Sequence, residues 1–207
     1  MFHDHRTACT LNERAGADML LAHTRGGTMG VHHIALATGD MAATHRFYTQ
    51  VMGFRLVKVM AVPYEGSRDG GWARHAFYRT SASDGPLLAF WDPHEATLEG
   101  RFRTDLSTGL GLPVWMNHLA FDAPTAAFYG QMLARWLSHG MEVTEMDHDF
   151  CRSIYTMDPN GIMVEFCQTL RAFTAEEVAD AERALRDPMP PLELPRPVIV
   201  HRPQVQR

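Results

Sequence analysis

Two stretches of this chain repeat one another, and the repeat limits what the chain can fold into. The first begins VHHIALATGDMAATHRFYTQVMGF at residues 31–54. The second begins MNHLAFDAPTAAFYGQMLARWLSHGMEV at 116–143 and closes with YTMDPNGIMVEF at 155–166. Each opens on a His, continues as an apolar strand to an Asp, and then runs as a helical stretch to a Gly. In VHHIALAT, His33, Ala35 and Ala37 alternate with Ile34 and Leu36, the period of a half-buried strand. Asp40 suits a helix N-cap, Ala43, Phe47, Tyr48 and Val51 follow at helical spacing, and Gly53 ends the helix. FRLVKVMAV, ARHAFYRT and PLLAFW read as three further strands, which gives β-α-β-β-β. WMNHLAFD, the helix from Ala123 to Gly140, MEVTEM, SIYTMD and IMVEFCQ repeat that order, with DPNG as the last turn.

The domain organisation follows from the repeat. Residues 1–29 form an N-terminal extension, 30–168 the repeated domain and 169–207 a C-terminal helix and Pro-rich tail. Within the domain, module 1 spans 30–92, an insert 93–113, and module 2 114–168. TAEEVADAERALRD carries a capping box from Thr174 to Glu177, with an acidic, solvated face. The Pro-rich stretch after it should be extended, and either wraps a partner subunit or is disordered. The fold class expected is α+β: two βαβββ modules forming a cupped mixed sheet.

His33 and His118 stand at matching points of the two modules, 85 positions apart, so no local period relates them. Glu165 lies in MVEF with Val164 and Phe166 on the opposite, apolar face. A carboxylate there is costly to bury without a cation partner. Ala35, Ala37 and Ala120 leave space beside the two histidines. Two imidazoles and one carboxylate hold a divalent metal on one side and leave the other open. His33, His118 and Glu165 are therefore the candidate metal ligands, for Fe(II) first and Mn(II), Ni(II) or Zn(II) as alternatives. His75, in WARHAFY, faces either into a cleft or away from it. Phe90, Trp91, Trp115 and Phe121 read as core, DPNG as a plain turn, and Cys151 and Cys167 as unreactive thiols.

Charge and composition narrow the partners. A net charge of −5 with scattered Lys and Arg argues against nucleic acid or an anionic membrane. No apolar run approaches the ~20 residues of a membrane helix. The opening segment lacks the basic start and long apolar stretch of a secretion signal. The three cysteines make no disulfide framework, so a cytoplasmic location is expected.

With those residues in view, the chain resembles the vicinal oxygen chelate superfamily, which includes glyoxalase I, bleomycin-resistance proteins and type I extradiol dioxygenases. That fold pairs two βαβββ modules around a metal whose ligands come from the first and last strand of each module. The matching positions here are His33, Ala89, His118 and Glu165. Ala89 cannot bind metal, and three ligands are the extradiol pattern. HDFCRSIYTMDPNGIMVE is similar to the extradiol ring-cleavage signature, with His148, Ile154, Tyr155, Asp158, Pro159, Gly161 and Glu165 in place and Met146 departing from it. The resemblance implies that Tyr155 and His148 bind substrate oxygen. It also implies a homodimer, since such modules often pair across chains. SASDGP holds no acid–base His, as in hydroquinone-cleaving relatives, which carry a His beside the first ligand; here that is His32. The resemblance thus implies a ring-cleaving dioxygenase acting on a catechol- or hydroquinone-like substrate with O2. A glyoxalase- or epimerase-type lyase or isomerase and a non-catalytic small-molecule binding protein are the alternatives.

Overall fold

The computed structural model describes residues 30–65, 70–82 and 84–204. The extension at 1–29 and part of the turn at 64–71 lie outside the described residues. The chain divides into two units at His33. Of the first, Gly30, Val31 and His32 are described, and all three are exposed without regular structure.

The second unit, His33–Arg207, carries the α+β fold. Module 1 runs β1 (His33–Ala37), α1 (Met41–Arg46), β2 (Arg55–Pro63), β3 (Trp72–Arg79) and β4 (Leu87–His94). Module 2 runs β5 (His118–Asp122), α2 (Ala126–Ser138), β6 (Val143–Asp147), β7 (Cys151–Met157) and β8 (Met163–Thr169). Then come α3 (Ala175–Arg186) and β9 (Val198–His201). The modules form two mixed sheets, in strand order β1-β4-β3-β2 and β5-β8-β7-β6-β9. The parallel pairs, β1 with β4 and β5 with β8, join the first and last strand of each module.

Local chemistry accounts for the elements. The Asp40 carboxylate accepts from Ala43 N at 2.9 Å and caps α1. Gly53 (φ 79°) supplies the left-handed turn that follows this helical stretch. Thr125 caps α2, and the Thr174–Glu177 capping box starts α3. Two elements differ from the sequence reading. Past Arg46 the helix widens into a π turn over Phe47–Val51, closed by Met52 N donating to Phe47 O at 3.0 Å. Phe47 and Tyr48 are both buried there. The Pro-rich tail has no regular structure up to Pro197 and ends in β9, which pairs antiparallel with β6. The β-branched run Val198–Val200 forms that pairing, and His201 Nε2 meets Glu145 Oε2 at 2.7 Å.

One core serves both modules. Tyr48, Tyr78, Leu88 and Phe90 of module 1 cluster with Leu119, Trp136, Ile154, Val164 and Phe166 of module 2. Phe54 meets Phe121 edge-on at 4.9 Å, and Phe90 and Phe121 are core residues as expected. Trp115 is not: it is 60% exposed.

The DPNG segment is more than a turn. Tyr48 OH donates to Asp158 Oδ2 at 2.9 Å. Asn160 N and Ile162 N both donate to Asp158 Oδ1 at 2.8 Å, and Asn160 Nδ2 reaches Oδ2 at 3.0 Å. Asn160 Nδ2 also reaches Thr44 Oγ1, which bonds Thr38. The last turn of module 2 is thereby fastened to the helix of module 1 through buried polar groups. The insert packs on this turn: Thr104 Oγ1 donates to Asn160 O at 2.9 Å. Gly161 sits at φ 75°, where a Cβ would come within 2.9 Å of Asp105 Cβ.

Candidate functional site

Strand alternation sorts each sheet into two faces. In module 2, Leu119, Ile154, Val164 and Phe166 enter the core. His118, Ala120, Tyr155 and Glu165 fall on the other face by the period-two rule and the registers Ala120↔Glu165 and Tyr155↔Glu165. In module 1, Ala76, Tyr78, Leu88 and Phe90 enter the core. His33, Ala35, Phe77, His75, Ala89 and Trp91 share the opposite face.

On the module 2 face, His118 Nε2 lies 2.9 Å from Glu165 Oε2. His118 Nδ1 lies 2.9 Å from the Trp115 carbonyl. A carbonyl only accepts, so Nδ1 carries the proton in that bond and Nε2 is the atom turned to the carboxylate. This is how a metal-binding His is oriented, its second nitrogen donating to a backbone carbonyl. Two donor atoms each about 2.1 Å from one metal, at right angles, lie about 3 Å apart. Glu165 is 5% exposed, a carboxylate that needs a cation in water-poor surroundings. The pair thus fits two neighbouring ligand positions on a divalent ion.

Tyr155 extends the row. Its OH lies 2.9 Å from His148 Nε2, and its ring meets His118 edge-on at 6.1 Å. Burial, followed by the Glu165 carboxylate, pushes the phenol above its usual value, so it stays a neutral hydrogen-bond donor. His148 occupies the β6–β7 hairpin, where Asp149 adopts φ 74°. Arg171 pairs with both Asp149 and Glu177, which ties that hairpin to the first turn of α3.

His33 stands elsewhere, on the module 1 sheet, with its ring 6.0 Å from Phe77. Each sheet turns the side without its His to one shared core, so both His-bearing faces point away from it. Among the described residues no three His, Cys, Asp or Glu side chains converge to hold a metal ion. Within one chain, then, His118 and Glu165 meet, Tyr155 and His148 join them, and His33 is separate. His32 precedes β1, exposed. Ala89, fully buried beside Phe77 in register, supplies no ligand atom. Cys151 is buried, and burial with the neighbouring Cys167 pushes its thiol up to about 12, in keeping with an unreactive thiol.

His75 belongs to the His33 face. It stacks on Trp91 (centroids 3.7 Å apart, planes 14° apart) and leans on Phe77 at 4.1 Å. Burial, and then His33, lowers its pKa from the ordinary imidazole value. Its face could be read only once the β3–β4 register, His75↔Trp91, was known. The same register takes Trp91 out of the core and onto this face.

The chain belongs to the glyoxalase/bleomycin resistance protein/dioxygenase superfamily, whose sequence model matches residues 30–166, two thirds of the chain. No curated protein matches the chain. Solved structures resemble the chain at low identity. A glyoxylase/bleomycin resistance protein/dioxygenase domain from Frankia sp. EAN1pec is 18% identical, with TM-score 0.48, over 69% of this chain and 99% of that one. The fosfomycin resistance protein FosX from Mesorhizobium loti is 19% identical, with TM-score 0.45, over 74% and 99%. TnmS3, an antibiotic binding protein from Streptomyces sp. CB03234, is 17% identical, with TM-score 0.44, over 69% and 97%. Among the described residues no helix is long and apolar enough to cross a membrane.

Proposed function

We propose that this protein is a metal-dependent enzyme that cleaves a catechol- or hydroquinone-like ring with O2, using His33, His118 and Glu165 as ligands. The observation that carries the reading is the His118–Glu165 pair at 2.9 Å, with His118 held by the Trp115 carbonyl and Tyr155–His148 beside it. A bound divalent ion, Fe(II) first among the candidates, would lower the pKa of a substrate hydroxyl and hold substrate and O2 together. The residues of this chain do the rest. Glu165 neutralises charge at the site. Tyr155, kept neutral, donates to a substrate oxygen. His148 Nε2 exchanges that proton with the Tyr155 hydroxyl across 2.9 Å. Both alternatives named for this fold stay within reach of the same pair: a lyase or isomerase needs the metal and a carboxylate but no O2, and a binding protein needs neither.

O2 uptake with a panel of catechols and hydroquinones, after loading with Fe(II) and ascorbate, tests the reading. Tyr155→Phe should keep metal and fold while turnover falls by about 10²–10³. No O2 uptake with any diol would remove the dioxygenase reading and leave the lyase and binding-protein readings. Wild-type turnover in Tyr155→Phe would remove Tyr155 from the reaction.

Because His33 lies on a face turned away from the core, a second copy of the chain supplies the missing ligand in this reading. The module 1 face of one copy then opposes the module 2 face of the other, as a homodimer. His33→Ala and His118→Ala should each bind no metal as purified dimers. Co-expressed, they should recover one intact site in each mixed dimer. Failure of the mixed dimer to bind metal, with each variant folded, would rule out a shared site.

A further inference from the structure

We propose that a cavity lined from both modules, with Arg55 and Arg79 on its wall, is a second ligand site, one that takes a small organic carboxylate with an apolar body. It is independent of the metal reading: His33, His118, Tyr155 and Glu165 do not line it.

The cavity measures about 910 Å³, within the range of about 300–1,000 Å³ usual for small-molecule sites. It lies where the start of β2 and the β3–β4 turn of module 1 meet β5 and α2 of module 2. Its apolar wall is Met52, Phe54, Phe121, Phe128, Met132 and Phe166. Phe54 meets Phe121 edge-on across the joint, and Phe128 meets Phe166 edge-on at 5.8 Å. The wall therefore offers both ring edges and ring faces to an apolar ligand. The two methionines, unbranched and adaptable, fit themselves to its shape.

The charges select the other end of the ligand. Three guanidiniums, of Arg55, Arg79 and Arg135, line this space against one carboxylate, Asp122. That is a basic pocket in a chain of net charge −5. Arg135 serves the fold: its Nε donates to Val51 O at 2.9 Å and its Nη2 to Gln50 O, which ties α2 to the π turn of module 1. Arg55 and Arg79 are different. They stand directly opposite each other in the β2–β3 register. Like charges so placed, with Cβ atoms about 5 Å apart, destabilise a strand pair. Arg79 Nη1 donates to Asp84, whose side chain is 97% exposed. Arg55 is exposed and, among the described residues, makes no hydrogen bond or ion pair. The pairing thus gathers two cations on an apolar cavity and leaves one without a counter-ion. A planar carboxylate accepts two parallel bonds from an arginine fork and relieves the repulsion between the pair. An inorganic anion would meet the arginines but leave the apolar wall to water.

The test uses 4-tert-butylbenzoate and 4-tert-butylbenzamide, which share a shape and differ in charge. Binding is measured by calorimetry on chelator-treated protein, so that no metal ion competes for the carboxylate. Wild type should bind the benzoate about tenfold or more tightly than the amide. Arg55→Gln removes a charge with no partner in the fold, so it should unfold at the wild-type temperature and bind the two probes alike. Arg55→Lys keeps the charge without the fork and should restore part of the preference. Methyl NMR on labelled methionines locates the site: the benzoate should shift Met52 and Met132, each assigned by its Leu variant. No benzoate binding to wild type, equal affinities for acid and amide, an unchanged preference in Arg55→Gln, or shifts that spare both methionines would overturn the site. Inorganic phosphate is the third probe. Phosphate that displaces the benzoate at equal concentration would show an anion contact with no apolar share, and would overturn the ligand class.

Discussion

His118→Ala should strip the protein of bound metal and reduce turnover to background. The expectation rests on the position of His118 between two fixed partners, the Trp115 carbonyl at 2.9 Å on Nδ1 and the Glu165 carboxylate at 2.9 Å from Nε2. Removing the imidazole deletes one ligand and leaves a buried carboxylate facing a vacancy. An uncompensated buried charge costs several kcal/mol, or shifts its pKa and takes up a proton. In the proposed site only His33 and Glu165 would then remain, two ligands, too few to retain the ion through dialysis. Glu165→Gln separates the two effects. It preserves shape and removes the charge, so metal should be lost while the fold tolerates the neutral amide. Elemental analysis of wild type and both variants, alongside thermal unfolding, decides the matter. Metal content in His118→Ala equal to that of wild type would reject His118 as a ligand, whatever the activity.

Much of the architecture was legible because the relevant signals are local. The alternation around His33 and His118, the caps at Asp40 and Thr174 and the left-handed Gly53 all report on neighbours within a few residues, and the elements follow them. What escaped the sequence depends on partners far along the chain. Asp158 and Tyr48 are 110 positions apart, and nothing in DPNG distinguishes a surface turn from one whose carboxylate is buried. The π turn at Phe47–Val51 keeps the same apolar residues as an ordinary helix and only shifts their register. The four residues of β9 sit at the end of a Pro-rich stretch whose composition conceals them. The candidate site divides in the same way. The residue types were readable from the repeat. Whether His33 meets the other two depends on which face each sheet turns to the core, and that is a property of packing.

Asp158→Ala should cost about 3–5 kcal/mol of stability, a large share of what a domain of this kind possesses. The carboxylate accepts four hydrogen bonds, two from backbone N–H groups and two from Tyr48 OH and Asn160 Nδ2. Burial pushes the Asp158 carboxyl above its usual value, and those donors pull it back. Burial, aided by Asp158, raises Tyr48 well above the ordinary phenol, so Tyr48 remains a donor. Truncation to Ala leaves four donors facing a void, and each unsatisfied buried group carries its own desolvation cost. Because one end of the network is in the helix of module 1 and the other in the last turn of module 2, the loss should loosen the modules from each other, beyond the turn itself. Asp158→Asn should be milder, about 1 kcal/mol, since its oxygen can still take the two backbone N–H groups while Tyr48 OH turns to accept. Tyr48→Phe removes one donor and should cost about the same. In a double-mutant cycle Asp158→Ala and Tyr48→Phe should be strongly non-additive, as expected of groups in one network. Additive losses in chemical denaturation would show that the two residues act separately and that the turn is held by its backbone alone.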